Sequence, residues 1–225
     1  AVKHGGITNH ATVNIKWIDS EIITEQTVDE IFSDVQGIMV PGGFGARGID
    51  GMLLSIQHAR TKNIPFLGLC LGMQLTIVEF ARNVMGLHDA HSIEMNPRTT
   101  HPVIALMPDQ NDVEDLGGTL RLGAYPCVLA KDSLAHRLYD TDNISERHRH
   151  RYEVNNDYRE ALIEHGLQLS GTSPDNRIVE ICELTDNLFF IATQAHPELK
   201  SRPNRPHPLF KGLVAAALQY KNKNE

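Results

Sequence analysis

The sequence predicts an α/β fold: an open, mostly parallel central sheet flanked by helices, with an additional antiparallel strand region. Three observations lead there. Short uninterrupted apolar runs, "GIMV" and "PFLGL", are each followed by a segment of helical length and pattern. Both runs end in glycine loops, "PGGFG" and "GLCLG", as buried strands of a doubly covered sheet do. In the second half the pattern changes to alternation and hairpin spacing, in "TLRLGAYPCVLA", "GLQLSG" and the pair "RIVEICEL" and "NLFFIATQ".

Taken in order, "AVKHGG" reads as the last turn of a helix stopped by Gly5 and Gly6. Residues 11–19 alternate Val13, Ile15 and Trp17 and read as a strand, with Trp17 in the core. "TVDEIFSDV" has a helix start, with Thr27 as cap and Glu30 three residues on. Residues 37–40 form a short buried strand ending in a glycine loop. "DGMLLSIQHARTKN" reads as a helix, "PFLGL" as a strand, and "GMQLTIVEFARNVMG" as a helix stopping at Gly86. Polar loops are expected near residues 109–115 and 140–147. "RIVEICEL" and "NLFFIATQ" pair around residues 185–187, and "HPLFKGLVAAALQYKNKN" is a terminal helix with a basic tail. Phe189 and Phe190 are assigned to the core. No repeat or linker divides the chain, so residues 1–225 are expected to form one domain.

The bulk properties narrow the function classes. The chain has 225 residues, 41% hydrophobic and 22% charged, within the range of globular domains. A net charge of −7 argues against a chain-wide nucleic-acid or membrane-surface role. No apolar run reaches the roughly 18 residues of a membrane span. Three widely spaced cysteines, Cys70, Cys127 and Cys182, suit free thiols in a reducing, cytoplasmic setting. No CxxC pair points to zinc, and no metal ligands are assigned.

Three short motifs carry chemistry. In "GLCLG" a strand runs through Gly-x-Cys-x-Gly into a helix, the pattern of a nucleophile elbow. Gly68 and Gly72 leave room for strand and helix to approach. The helix N-terminus lies beneath the sulfur, and the N–H of Leu71 points where an oxyanion would form. In "VPGGFGARG" a strand opens into a loop of exposed amides, of which Gly43 can supply a second oxyanion donor. In "TQAHPEL" a strand delivers His196 and then Glu198, a base and its orienting acceptor, on one face of an extended chain. Each motif alone has a plainer reading: a buried thiol, a flexible turn, a surface histidine. Cys127 and Cys182, in apolar strand-like surroundings, read as structural.

The three motifs in this order resemble the class I (triad) glutamine amidotransferases. "VPGGFGARG", "PFLGLCLGMQL", "EFARNVMG", "GGTLRLG", "ERHRHRYEVN" and "HPELKSRP" are similar to the glutaminase domain of the CTP synthase family, and the arginine–histidine run at residues 147–151 separates it from other triad glutaminases. The resemblance implies a class I glutamine amidotransferase-like, flavodoxin-like fold and hydrolysis of L-glutamine to glutamate and ammonia. It implies Cys70 as nucleophile, His196 as base and acid, Glu198 as orienter, and Gly43 and Leu71 as oxyanion donors. Substrate contacts would come from Gly42, Gly43, Phe44, Leu71, Gln74, Glu94 toward the α-ammonium, and Arg151 toward the α-carboxylate. An Arg fork suits a carboxylate better than Lys does.

It further implies an N-terminal synthetase domain as partner, lying outside this chain and carrying the ATP, UTP and Mg sites, with a homotetrameric full-length protein. On that reading the chain is a C-terminal fragment whose first strand is missing or lies just upstream. The competing readings are the glutaminase of another class I amidotransferase, a γ-glutamyl hydrolase, or a non-catalytic module on the same fold. Two departures lie beside the proposed groups: Ala195 stands where the family commonly has an aromatic residue, and "HSIEMNP" replaces a more usual Asn-Ser-Thr-Glu-Phe-Asp-Pro.

Overall fold

A computed structural model describes residues 1–107 and 121–224; the polar loop expected at residues 109–115 lies outside them. Four strands define the sheet's first half: β1 (Ile38–Val40), β2 (Phe66–Leu69), β9 (Val179–Glu183) and β10 (Phe190–Thr193). Its second half is β5 (Arg121–Leu129), β6 (Asn143–His150) and β8 (Gln168–Thr172). Among the described residues the order is β1-β2-β10-β9-β8-β5-β6. The strands β1, β2 and β10 are parallel, and every other pairing described within this sheet is antiparallel. The antiparallel share is thus larger than the sequence predicts. The connections explain it: β8, β9 and β10 follow one another through short turns, which cannot carry a parallel crossover.

The parallel strands are buried on both faces, so their side chains divide by parity. Phe66, Phe190 and Ala192 join one core with α3 (Ile49–Thr61) and α4 (Leu71–Asn83). Leu67, Leu69 and Ile191 join the other with α5 (Leu134–Tyr139) and α7 (Pro208–Asn224). Phe66 and Phe190 are register partners and stack at 4.6 Å. The α3 and α4 helices are tied by a part-buried fork from Arg60 to Glu79 (2.7 and 3.0 Å). A smaller sheet, β3 (Ala90–Ser92), β4 (His101–Ala105) and β7 (Glu153–Val154), lies against α4. Two short helices, α2 (Val28–Ile31) and α6 (Arg159–Glu164), complete the described fold along with α1 (Val2–Thr8).

Several local expectations are overturned. Gly5 and Gly6 do not stop a helix; α1 runs through both. A Cβ on Gly5 would collide with the Phe210 carbonyl, so glycine there serves the contact of α1 with α7. Residues 11–19 form no strand, and Trp17 is 86% exposed rather than core. Their alternation finds no sheet edge to join; the segment is held instead by Lys16, which binds the Ile31 carbonyl and Asp34. Thr27 does not cap α2: its hydroxyl accepts from the Thr24 N–H and donates to the Ile22 carbonyl, so it is spent on the preceding turn. The loop expected at 140–147 is largely β6, which begins at Asn143.

Candidate active site

All three parallel strands end at one edge of the sheet, which is where open α/β sheets place their sites. There β1 opens into residues 41–45, β2 into Cys70, and β10 into Gln194 and His196. Register fixes the meeting: Val40 lies beside Gly68, and Thr193 beside Leu69.

Cys70 sits at φ 51°, ψ −103° as the N-cap of α4. Such a conformation costs roughly 1–3 kcal/mol in a non-glycine residue. Its surroundings enforce it. The Cys70 N–H donates to the Thr193 carbonyl (2.7 Å), holding it to β10. A Cβ on Gly72 would strike the Val40 carbonyl, and one on Gly68 would come within 2.9 Å of Ala192 and Gly72, so strand and helix close tightly around the turn. The side chain is only slightly exposed, at 3% of the residue surface. Its Sγ lies 3.9 Å from the Arg149 carbonyl, which the thiol addresses as donor, and 3.6 Å from Gln194 Nε2, which donates to it.

His196 follows β10 and is anchored by its N–H to the Arg147 carbonyl (2.7 Å). Its Nδ1 donates to Glu198 Oε1 at 2.6 Å. A carboxylate accepts only, so the proton is on Nδ1 and the buried Nε2 is left for Cys70. The route to this contact differs from the sequence expectation: Pro197–Leu199 is a 3-10 turn, not extended chain, and the turn swings Glu198 back onto the ring. Cys70 and then Glu198 hold the imidazole's pKa up to about 10 against the pull of burial. Gly42 fits between these groups; a Cβ there would stand 2.8 Å from His196 Cε1 and 3.3 Å from Cys70 Cβ.

The remaining candidates surround this trio. Leu71 is the first residue of α4, where an N–H has no intrahelical acceptor. Gly43 lies against the Leu71 side chain, with its missing Cβ position 3.2 Å from Leu71 Cδ2. Phe44 is 63% exposed with the Arg149 guanidinium 5.7 Å from its ring centre. Glu94 follows β3, its N–H bound to Ser92 Oγ. Although solvent reaches it, desolvation raises its carboxyl, and the nearby Arg151 charge pulls the other way. Gln74 is buried, and its Nε2 donates to the Tyr152 carbonyl (3.2 Å) and Gln194 Oε1 (3.3 Å). Cys127 and Cys182 are buried far from this chemistry in character; burial pushes Cys127 up to about 12 and raises Cys182 as well.

Sequence reasoning missed two features. Gln194 lies in "TQAHPEL", two residues before His196, where the sequence alone signals no role for it. The strand period in "RHRHR" also carried more than a basic patch: on β6 the arginines 147 and 149 face out while Glu146, His148 and His150 are buried. Beneath them Arg121 bridges Glu180 (2.7 Å) and Glu153 (3.4 Å).

The Glutamine amidotransferase class-I family model matches residues 1–216. A CTP synthase of Clostridium perfringens (strain SM101 / Type A) is 58% identical over 221 residues, and one of Staphylococcus haemolyticus 55% over 223. These alignments cover 98% and 99% of this chain but 41% and 42% of the relatives, so the chain spans about two-fifths of their length. The glutaminase domain of Trypanosoma brucei CTPS, solved with bound acivicin, superposes with TM-score 0.90 at 38% identity, over 97% of this chain and 85% of that one. A glutamine amido transferase from Methylobacillus flagellatus shares the fold, with TM-score 0.56 at 12% identity over 97% and 88% of the two chains. The chain therefore belongs to the class-I glutamine amidotransferases, on the branch formed by the glutaminase domains of CTP synthases.

Proposed function

We propose that this chain hydrolyses L-glutamine to glutamate and ammonia, and that the ammonia serves ATP-dependent amination of UTP to CTP on a synthetase domain of the same longer protein. The observation that carries the reading is the strained Cys70 at the head of α4 with the His196–Glu198 pair beside it. Arg151 and Glu94 hold the α-carboxylate and α-ammonium of glutamine, one fixed cation and one fixed anion for a zwitterion. Cys70 Sγ, as thiolate, attacks the amide carbon, and the carbonyl π pair moves onto oxygen beneath the Leu71 and Gly43 N–H groups. The imidazolium gives its Nε2 proton to the departing nitrogen as the C–N bond breaks, leaving a γ-glutamyl thioester and ammonia. His196 then takes a proton from water, the hydroxide attacks the thioester, and the C–S bond breaks to return the thiolate. Glu198 keeps the ring in the tautomer both steps need.

Among the described residues no group of three or more His, Cys, Asp or Glu is arranged to hold a metal. The similarity to CTP synthases is what assigns Mg, with ATP and UTP, to the synthetase part. Nor is any described helix long and apolar enough to cross a membrane. The test is ammonia release from glutamine by the wild-type chain and by Cys70→Ala, alone and with the synthetase part, ATP and UTP supplied. Loss of ammonia in Cys70→Ala, with acivicin-type alkylation confined to Cys70, is expected. Ammonia release that survives Cys70→Ala would refute the nucleophile assignment.

A further inference from the structure

We infer that Gln194 is a further catalytic residue of this hydrolysis, its side-chain amide donating to Cys70 Sγ, and that Gln74 is the positioning residue that fixes the direction of that amide. The inference rests on Cys70 being the nucleophile.

The direction of the amide follows from obligate partners. The Tyr152 carbonyl can only accept, so the Gln74 atom 3.2 Å from it is the NH2 nitrogen. The second proton of that nitrogen points to Gln194 at 3.3 Å, so Gln194 presents its oxygen there. Its own NH2 is therefore turned to Cys70 Sγ, 3.6 Å away, an ordinary separation for a donor on the larger sulfur atom. Gln194 is fully buried and its backbone N–H is tied to the Glu180 carbonyl on β9 (2.9 Å), so the side chain has no solvent to turn to.

The sulfur thus sits between two groups of opposite preference. The Arg149 carbonyl at 3.9 Å favours the S–H form, which can donate to it. The Gln194 N–H favours the thiolate, since a donor bonded to the charged form stabilises that form, the more so in a buried setting. Each time the C–S bond breaks and its electron pair settles on sulfur, that N–H bond strengthens; no proton leaves Gln194. Among the described ionisable groups, His196 stands toward the sulfur with Glu198 behind it, Arg121 and Glu180 lie beyond the histidines of β6, and past the Tyr152 carbonyl come His150 and His148. Burial holds the last two neutral, down to about 3 and about 2, so neither changes charge at neutral pH.

The experiment is the pH dependence of Cys70 alkylation by iodoacetamide, together with steady-state glutaminase kinetics, in wild type and Gln194→Met, which keeps the length and removes the donor. The expected result is an alkylation midpoint about one pH unit higher, a tenfold loss of thiolate below it, and a fall in kcat with KM little changed. Gln74→Met should move the midpoint the same way by releasing the amide. In the unaltered protein, the Gln194 side-chain amide resonance should shift through the thiol's own titration and stay still in Cys70→Ser, a readout that stands even where a variant fails to fold. An unmoved midpoint in folded Gln194→Met, or an amide resonance blind to the thiol, overturns the assignment to Gln194. Ammonia release surviving Cys70→Ala overturns the nucleophile reading instead, so the two failures are distinct.

Discussion

Gly42→Ala is the sharpest steric probe of the site. Gly42 is not among the glycines at positive φ, so alanine can take its backbone without strain. The whole effect comes from one methyl group. It would stand 2.8 Å from His196 Cε1, 3.6 Å from His196 Nδ1 and 3.3 Å from Cys70 Cβ. Carbon pairs settle at ~3.5–4.0 Å, so the imidazole must retreat by roughly 1 Å while Cys70, pinned through its N–H to Thr193, stays. A misplacement of that size in a reacting pair costs about 100-fold in rate. The expected outcome is kcat for glutamine hydrolysis down about 100-fold, KM changed far less, and a melting temperature within a few degrees of wild type. Gly43→Ala is the internal control. Its methyl meets only the end of the flexible Leu71 side chain at 3.2 Å, and its loss should be much smaller. Wild-type kcat in a folded Gly42→Ala protein would refute the idea that Gly42 is required to let Cys70 and His196 meet.

The His196 imidazole is raised to about 10 chiefly by Cys70. Cys70→Ala should therefore drop its NMR midpoint toward the ordinary 6.5, and a midpoint still near 10 would show that Glu198 alone sustains it. Because the folded value is raised, the stability this ring contributes is complete below about pH 6.5 and disappears as pH climbs through 10; in Cys70→Ala that loss should come at lower pH. Arg151→Ala removes a charged substrate contact of about 1.5–3 kcal/mol, so KM for glutamine should rise roughly 10- to 150-fold with thermal stability little changed; an unchanged KM removes Arg151 from the site. Arg121→Met leaves Glu180 and Glu153 buried without their cation, a loss of about 3–5 kcal/mol. Burial already raises both carboxyls above 4.5, and Arg121 opposes this in both. The variant's deficit should thus be smallest below pH 4.5 and grow as pH rises, and a deficit flat with pH would refute the account.

The parallel half of the sheet was legible because it is written in the strongest local signals. Apolar runs at "GIMV" and "PFLGL", glycine loops and helical periods of full length agree with one another, and nothing tertiary contradicts them. The Cys70, His196 and Glu198 trio was legible for the same reason, since each lies at the end of such a run. What failed was decided by distant contacts. Gly5 reads as a helix stop until Phe210 is known to lie against it. Val13, Ile15 and Trp17 read as a strand, but alternation needs a neighbouring edge, and none among the described residues pairs with this segment, leaving Trp17 exposed. Gln194 carries no signal as a residue type; its role depends on an orientation set by the carbonyl of Tyr152, in another part of the chain.

That dependence extends to the whole of β6, and it gives the arginine–histidine alternation a physical reason. The strand contributes two backbone carbonyls to the site, Arg147 to the His196 N–H and Arg149 to Cys70 Sγ. Both are useful only in one register. A slip of one residue would turn every side chain to the opposite face, burying Arg147 and Arg149 and driving His148 and His150 into water. Inside, those histidines form a directed chain. The Tyr152 carbonyl requires the proton on His150 Nδ1, so His150 Nε2 accepts from His148 Nδ1 at 3.0 Å. His148 Nε2 then faces Glu180, 3.6 Å away, which Arg121 holds. A buried guanidinium and carboxylate are expensive to place in a core, and here Arg121 of β5 and Glu180 of β9 sit against the buried face of the strand whose carbonyls must not move. The polar interior of β6 is thus best understood as a register lock. The same Tyr152 carbonyl that ends the lock also orients Gln74, and through it Gln194, against the sulfur.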